Sequence, residues 1–235
     1  MTPVSIVFAV LMTTALVVFV IGTIAKLVNY RRTPVPYPIP LAPIPRSAFG
    51  AAGRLTVEML FFRSLFRATK TTWLFAWVFH AGLLGLVLVH VRFFVQQMPD
   101  WLLWLIPHTT IATVAFTGGL LGLLVRRIVV DRVRYISAPS DYLHLLVLLG
   151  IALTGALMSY TGSINVYQVM RFANGVITLD WQPLPVAPLR ETVLLYAHLT
   201  LVAGLLLVFP VSKLIHGVGI MFNPVLTGYD RNPRS

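Results

Sequence analysis

The sequence predicts an all-α integral membrane protein in which five helices cross the bilayer. Hydrophobic residues make up 57% of the 235 residues, and the mean hydropathy is +0.84. Only 11% of the residues are charged, whereas soluble domains carry about a quarter. Backbone groups in lipid must form their hydrogen bonds within their own segment, so apolar stretches that are long enough to span a bilayer are expected to be helices.

Five stretches approach or exceed the roughly 20 mostly apolar residues that a membrane span needs. They cover about residues 4–28, 72–95, 102–125, 142–160 and 193–215. The first stretch begins without a basic segment or a cleavage site, and we interpret it as a retained helix rather than a removed signal peptide. Together the five helices predict a single membrane domain over residues 1–235.

The placement of the basic residues predicts the orientation of the helices. Fifteen of the 18 Lys and Arg residues lie at the C-terminal ends of the first, third and fifth helices or in the segments that follow them. The positive-inside rule places those segments in the cytoplasm and the N-terminus outside. The net charge of +11 therefore indicates contact with anionic lipid headgroups, and we expect no nucleic-acid partner.

Two loops stand out between the predicted helices. The cytoplasmic loop, residues 29–71, has six prolines in residues 33–45, which predicts an extended arm that either docks a partner or acts as a spacer on the membrane. Residues 54–70 combine apolar residues at helical spacing with basic ones, which predicts an amphipathic helix in the interface. Residues 161–190 form an external loop that is expected to pack over the outer helix ends.

All six histidines lie in or at the ends of the apolar stretches, where ionisable residues are rare and usually functional. His80 and His90 share the second helix, roughly 15 Å apart along its axis. His198 and His216 share the fifth, where eighteen residues make five whole turns and put both on one face. Since the two helices run in opposite directions, His80 and His216 are expected near the cytoplasm, and His90 and His198 nearer the outside.

Two histidine pairs at two depths predict two bis-histidine b-type haems, because a neutral imidazole is a good axial ligand for haem iron. The chain has no cysteine, which excludes thiolate-ligated clusters and covalently attached haem. The alternative is that the histidines hold helices together by hydrogen bonds. The separations of roughly 15 and 27 Å are unequal, and helix tilt, haem tilt or a bend at Pro210 would have to absorb the difference.

Several residues near the candidate ligands have two alternative roles each. Three glycines either make room for a flat macrocycle or let helices pack closely: Gly82, Gly85 and Gly204. Three basic residues either pair with haem propionates or only set the topology: Arg92, Arg126 and Lys213.

Two histidines lack a partner at the same depth. His108 lies near the outer start of the third helix, at about the depth of His90, and is a candidate for binding a quinone head group. His144 lies near the cytoplasmic start of the fourth helix, where we favour an interfacial role.

The His-x9-His pair on the second helix and the His-x17-His pair on the fifth resemble the gamma subunit of respiratory nitrate reductase, a five-helix dihaem cytochrome b with an external N-terminus. Four further segments look like a branch of the same superfamily, the membrane cytochrome b subunit of the dissimilatory sulfite reductase-associated electron transfer complex. These segments are FFRSLF (61–66), RYISAPSDY (134–142), FPVSKLIH (209–216) and MFNP (221–224). The resemblance covers nearly the whole chain.

The resemblance implies that His80 and His216 hold the cytoplasmic-side haem, that His90 and His198 hold the outer haem, and that quinone reacts beside the outer haem. It implies a multi-pass protein of the prokaryotic cytoplasmic (inner) membrane that passes electrons between quinone and a partner in sulfur metabolism. The implied partner is a cytoplasmic iron–sulfur subunit related to heterodisulfide reductase. Multihaem c, further iron–sulfur and further membrane subunits are possible neighbours.

Three other functions fit parts of the sequence. A true nitrate reductase gamma subunit would have the same cofactors and a molybdoenzyme partner. A haem-free membrane anchor would only recruit a cytoplasmic subunit. A transporter could use the membrane histidines as a proton relay, but it predicts paired interrupted helices, and the sequence shows none.

Overall fold

The computed structural model describes residues 1–34, 44–95, 97–162 and 164–228. The elements in this part of the chain are all helices, and five of them are long and apolar enough to cross a membrane. The five candidate spans are Pro3–Arg32, Lys70–Phe93, Asp100–Val129, Pro139–Thr161 and Leu189–Val211. The predicted all-α membrane fold with five spanning helices is confirmed. Most of the proline-rich arm, residues 35–43, lies outside the described residues.

The helices are numbered here in chain order. The spans contain α1 (Pro3–Arg32), α4 (Lys70–His90), α5 (Asp100–Leu105), α6 (Thr109–Val129), α8 (Pro139–Thr161) and α10 (Leu189–Val208). The segments between and after them contain α2 (Ala48–Phe61), α3 (Arg63–Ala68), α7 (Asp131–Ile136), α9 (Val166–Thr178), α11 (His216–Gly219) and α12 (Pro224–Thr227). Large apolar side chains on the spans, such as Ile21 and Ile111, are 63% and 67% exposed, as expected of helices that face lipid.

The segment predicted as one amphipathic helix over residues 54–70 is divided in two. α2 begins earlier, at Ala48, because the Ser47 hydroxyl accepts a hydrogen bond from the Gly50 amide at 3.1 Å and caps the first turn. It ends where Phe62 adopts a left-handed conformation with φ of 48°. The Glu58 carboxylate accepts the Ser64 amide at 3.1 Å, at the start of α3.

The predicted loop of residues 161–190 contains a helix that the sequence analysis missed. α9 is capped by Asn165, whose side-chain oxygen accepts the amides of Tyr167 at 3.0 Å and Gln168 at 3.3 Å. On α9, Asn174 donates a hydrogen bond to the Phe93 carbonyl at 3.0 Å. The helix therefore packs against the 3-10 turn Val91–Phe93 that ends the second span.

The chain divides into two compact units, one within Met1–Leu16 and Leu74–Leu206 and the other within Val17–Trp73 and Leu207–Ser235. The prediction of a single membrane domain over residues 1–235 stays a prediction. The first unit has two apolar cores of buried residues. One contains Phe79, Phe116, Leu120, Leu145, Leu148, Leu149 and Ala152, and the other contains Phe8, Ala9, Phe172, Val176, Leu184 and Leu195.

In the second unit, Arg54 on α2 ties down the C-terminal part of the described chain. Its Nη2 donates to the carbonyls of Leu226 at 2.8 Å and Gly228 at 3.0 Å. A guanidinium that bonds two carbonyls holds the segment after α11 against α2, because each carbonyl lies near the end of a short helix that leaves it without a helical partner.

Candidate functional site

Three of the four predicted ligand histidines are held by the backbone of their own helix or turn. Nδ1 lies 2.7 Å from the Ala76 carbonyl in His80, 2.7 Å from the Leu86 carbonyl in His90, and 3.0 Å from the Lys213 carbonyl in His216. A carbonyl only accepts hydrogen bonds, so Nδ1 carries the proton in each ring. Nε2 is then the nitrogen that can coordinate a metal, which is the arrangement usual for iron-ligating histidines.

The fourth predicted ligand, His198 on α10, is held by a different helix. Its Nδ1 lies 3.0 Å from the hydroxyl oxygen of Thr154 on α8. That hydroxyl donates to the Gly150 carbonyl at 2.7 Å, so its oxygen is left to accept the Nδ1 proton of His198. The next residue, Gly155, has no side chain, and a Cβ there would lie 3.2 Å from His198 Cε1. Thr154 and Gly155 therefore fix the position of this imidazole, and no sequence pattern points to either residue.

The structure brings His90 and His198 into one unit. This is the pair predicted for the outer position. His80 belongs to the same unit, but His216 belongs to the other, so the pairing of His80 with His216 stays a prediction. No group of three or more His, Asp or Glu side chains suited to a metal ion occurs in the described residues.

The premise that placed His198 and His216 on one face of a continuous helix is wrong. α10 ends at Val208, and two 3-10 turns follow, Phe209–Val211 and Lys213–Ile215. Between them Ser212 is extended, with φ of −99° and ψ of 171°. Pro210 lacks the amide hydrogen that a helix needs at this point. The number of helical turns between His198 and His216 therefore cannot be used to predict that the two side chains face the same way.

A partly buried arginine lies at the His90 end of the second span. Nε of Arg92 is buried and has no hydrogen-bond partner among the residues that the structure describes, and its guanidinium carbon lies 4.8 Å from the centre of the Phe93 ring. A buried donor without an acceptor is costly. The predicted role of Arg92 as partner of an acidic group near His90 is compatible with this position.

The three glycines proposed for a macrocycle do not behave alike. A Cβ on Gly82 would lie 2.4 Å from the Phe116 amide nitrogen, and a Cβ on Gly85 would lie 3.1 Å from the Ala112 Cβ. These two glycines let α4 pack against α6, which is the helix-packing reading. Gly204 is exposed, and no described side chain or neighbouring helix lies within 4 Å of a Cβ position there, so its role stays a prediction.

The remaining candidates have the following positions. Nδ1 of His108 lies 3.0 Å from the Trp104 carbonyl, so this ring is held in the same way as those of His80 and His90. Nε2 of His144 on α8 is buried and lacks a hydrogen-bond partner in the described part of the chain. Arg126 lies in the last turn of α6, and Lys213 lines a cavity with His216. The predicted roles of these four residues stay predictions.

Comparison with known proteins gives two concordant results. The sequence model of the family described as "Nitrate reductase gamma subunit" matches residues 63–230, which include all six histidines. A protein of Archaeoglobus fulgidus named "Hdr-like menaquinol oxidoreductase cytochrome b-like subunit" is 30% identical over 89% of this chain and 75% of its own length. The protein of the same name from Archaeoglobus profundus is 30% identical over 88% of this chain and 74% of its own length.

The superfamily resemblance carried by the histidine spacing is thereby confirmed. The five candidate spans and the extent of the family match agree on a multi-pass membrane protein. The chain belongs to the nitrate reductase gamma subunit family.

Proposed function

We propose that this protein is a dihaem cytochrome b that transfers electrons between membrane quinone and a cytoplasmic iron–sulfur partner. The observation that carries the proposal is that the four candidate histidines are all hydrogen-bonded through Nδ1. In each of His80, His90, His198 and His216, Nδ1 is hydrogen-bonded so that Nε2 can serve as a metal ligand. Haem, when bound at these residues, would supply one-electron redox chemistry at two depths in the membrane.

Two further observations support a haem at the residues of the first unit. His90 is exposed although it lies within a candidate membrane span, where an exposed ionisable side chain is unfavourable. Nε of Arg92 is a buried donor that no described residue satisfies. A haem between His90 and His198 would cover the exposed imidazole of His90. One of its carboxylates would accept a hydrogen bond from Nε of Arg92.

The roles of the protein residues follow from this arrangement. Thr154 orients His198 by accepting its Nδ1 proton, and Gly155 leaves room for the imidazole edge. α9 shields the turn that follows His90, because Asn174 bonds the Phe93 carbonyl. We propose that quinone reacts at this end, which the positive-inside rule places outside, with His108 as a candidate contact.

The partner and the branch of the family are part of the proposal. The relatives from Archaeoglobus are named as subunits of an Hdr-like menaquinol oxidoreductase, which supports menaquinol as the quinone and a heterodisulfide-reductase-like iron–sulfur subunit as the partner. We further propose a role in sulfur metabolism and a place in the prokaryotic cytoplasmic (inner) membrane. The family match also favours a second candidate, a nitrate reductase gamma subunit with a molybdoenzyme partner.

The haem content of the purified protein tests the proposal. We expect a reduced-minus-oxidised b-type spectrum and two haems per chain in a pyridine haemochrome assay, with reduction by a menaquinol analogue. A colourless protein, purified in the presence of added haem, would support the haem-free anchor instead. Co-purification then separates the two candidates, because an iron–sulfur partner supports the Hdr-like complex and a molybdenum-containing partner supports nitrate reductase.

The hydroxyl of Thr154 is expected to be needed for tight haem binding. Thr154→Val keeps the shape of the side chain but removes the acceptor for the Nδ1 proton of His198, and loss of such a contact typically weakens metal binding about 10–100-fold. Haem titration of the apoprotein measures the effect. Thr113→Val is the matched control, because the Thr113 hydroxyl also bonds a carbonyl of its own helix, that of Thr109 at 2.9 Å. Equal affinities in the two variants would contradict the role of Thr154.

A further inference from the structure

An open cavity of about 450 Å³ lies in the second unit. This volume falls within the range of small-molecule sites. The cavity is bounded by α1 on one side and by the two 3-10 turns after α10 on the other. Its lining residues are Lys26, Tyr30, Val211, Ser212, Lys213, Ile215 and His216.

Close contacts in the second unit fix the two walls of the cavity. A Cβ on Gly22 would lie 2.8 Å from the Pro210 ring, so only glycine lets α1 approach the proline this closely. Beside this contact, the rings of Phe19 and Phe209 meet edge to face with their centres 5.0 Å apart. These contacts hold α1 beside the turn that follows α10, at the edge of the cavity.

The turn that carries the cavity's second lysine is fixed by a serine. The Ser212 hydroxyl accepts the Leu214 amide at 3.1 Å, which caps the turn that begins with Lys213. On the α1 side, a Cβ on Gly219 would lie 3.4 Å from the ring of Tyr30, so Tyr30 also packs against the chain that follows His216.

The lining favours a ligand with an acidic head and an apolar body. Two of the seven lining residues are lysines, none of the seven is acidic, and Val211 and Ile215 supply apolar surface. The Nζ atom of Lys26 lies 5.6 Å from the centre of the Tyr30 ring, which holds the charge at the cavity wall.

The position of the two lysines along the chain places them at headgroup depth. Lys26 follows the apolar part of α1, and Lys213 lies two residues after the apolar span that ends at Val211. Lysines at the ends of membrane helices extend their charge to the interface, where anionic groups are attracted to them.

We propose that this cavity binds the acidic oxygen group of an amphiphile through Lys26 and Lys213. Two kinds of molecule carry such an acidic oxygen group. One is an anionic phospholipid, through its phosphate, and the other is a haem bound at His216, through a carboxylate. The second source rests on the proposed function, whereas the first does not.

The test uses the full-length purified protein and phosphatidylglycerol as the lipid probe. The double variant Lys26→Gln, Lys213→Gln is compared with the wild type by native mass spectrometry of lipid adducts and by redox titration of the haems. If the ligand is the lipid, phosphatidylglycerol binding falls about 30-fold, since each lysine near the surface contributes roughly fivefold. If the ligand is the haem carboxylate, lipid binding is kept and the midpoint potential of one haem falls, because a positive charge that favours the reduced state is gone.

Two controls make the outcome specific. Arg31→Gln with Arg32→Gln removes two charges from the end of the same helix without touching the cavity lining, and it should change neither readout. Lys26→Arg with Lys213→Arg keeps both charges and should retain the ligand. The proposal is overturned if the glutamine variant changes neither readout, or if the arginine control loses the lipid equally. If the protein binds no haem, the proposed function is contradicted. The proposal for the cavity is still tested, because phosphatidylglycerol binding can be measured without haem.

Discussion

Replacing His90 with alanine is expected to lower the haem content from two b haems per chain to one. His90 and His198 lie in the same unit, and each is predicted to supply one ligand to the same haem iron. Without the first imidazole, one of the two protein ligands would be lost, and the remaining one would hold the haem weakly. The pyridine haemochrome count measures the loss, and the spectrum of the remaining haem should be that of an intact bis-histidine centre.

Double variants test the pairing itself. His90→Ala with His198→Ala should still retain one haem, because both substitutions affect the same site and their effects do not add. His80→Ala with His90→Ala should retain none, because each substitution then removes a ligand of a different haem. The pairing is wrong if the first combination loses both haems, or if the second retains one.

His108→Ala is the matched control for haem content. The His108 ring is also held through Nδ1 by a carbonyl of the preceding turn, at 3.0 Å, yet no second histidine is predicted to face it. Its substitution should leave two haems per chain. A loss of haem in this variant would show that the anchoring of Nδ1 alone does not identify the ligands.

The five spans could be predicted because their signal is local. A bilayer requires a certain length of apolar chain, and that length can be read from the sequence without any tertiary contact. α9 was missed for the opposite reason. It is a short helix of mixed composition, and it depends on the Asn165 cap and on the contact of Asn174 with the Phe93 carbonyl.

The candidate site shows the same division. The histidines could be found because an ionisable side chain in a membrane span is rare. Thr154 could not, because its contact with His198 joins residues 44 positions apart and arises only when α8 packs against α10. The prediction that His198 and His216 lie on one face of the same helix failed. It assumed that the helix continues through Pro210 and Ser212, where the structure has 3-10 turns and an extended residue.

Gly82→Ala is expected to destabilise the protein more than Gly85→Ala, the same substitution at the other glycine of α4. The new Cβ would lie 2.4 Å from the Phe116 amide nitrogen and 2.8 Å from the Ala112 carbonyl oxygen. These are backbone atoms of α6, so no side-chain rotation relieves the clash and the helices must separate. Overpacking of this kind costs about 1–3 kcal/mol, which corresponds to a decrease in Tm of roughly 2–12 °C for a chain of this size.

Gly118→Ala on α6 is the matched control, because no described atom lies within 4 Å of its Cβ position. Alanine there should keep or slightly raise Tm, since glycine is the poorer helix former by about 1 kcal/mol. Thermal unfolding in detergent, followed by circular dichroism, measures both variants, and their haem contents are compared in parallel. If Gly82→Ala keeps its Tm but loses haem, the glycine makes room for the macrocycle rather than for α6. A decrease in Tm before any haem is lost assigns Gly82 to the packing of α4 on α6, and this packing then holds the helix that carries His80 and His90.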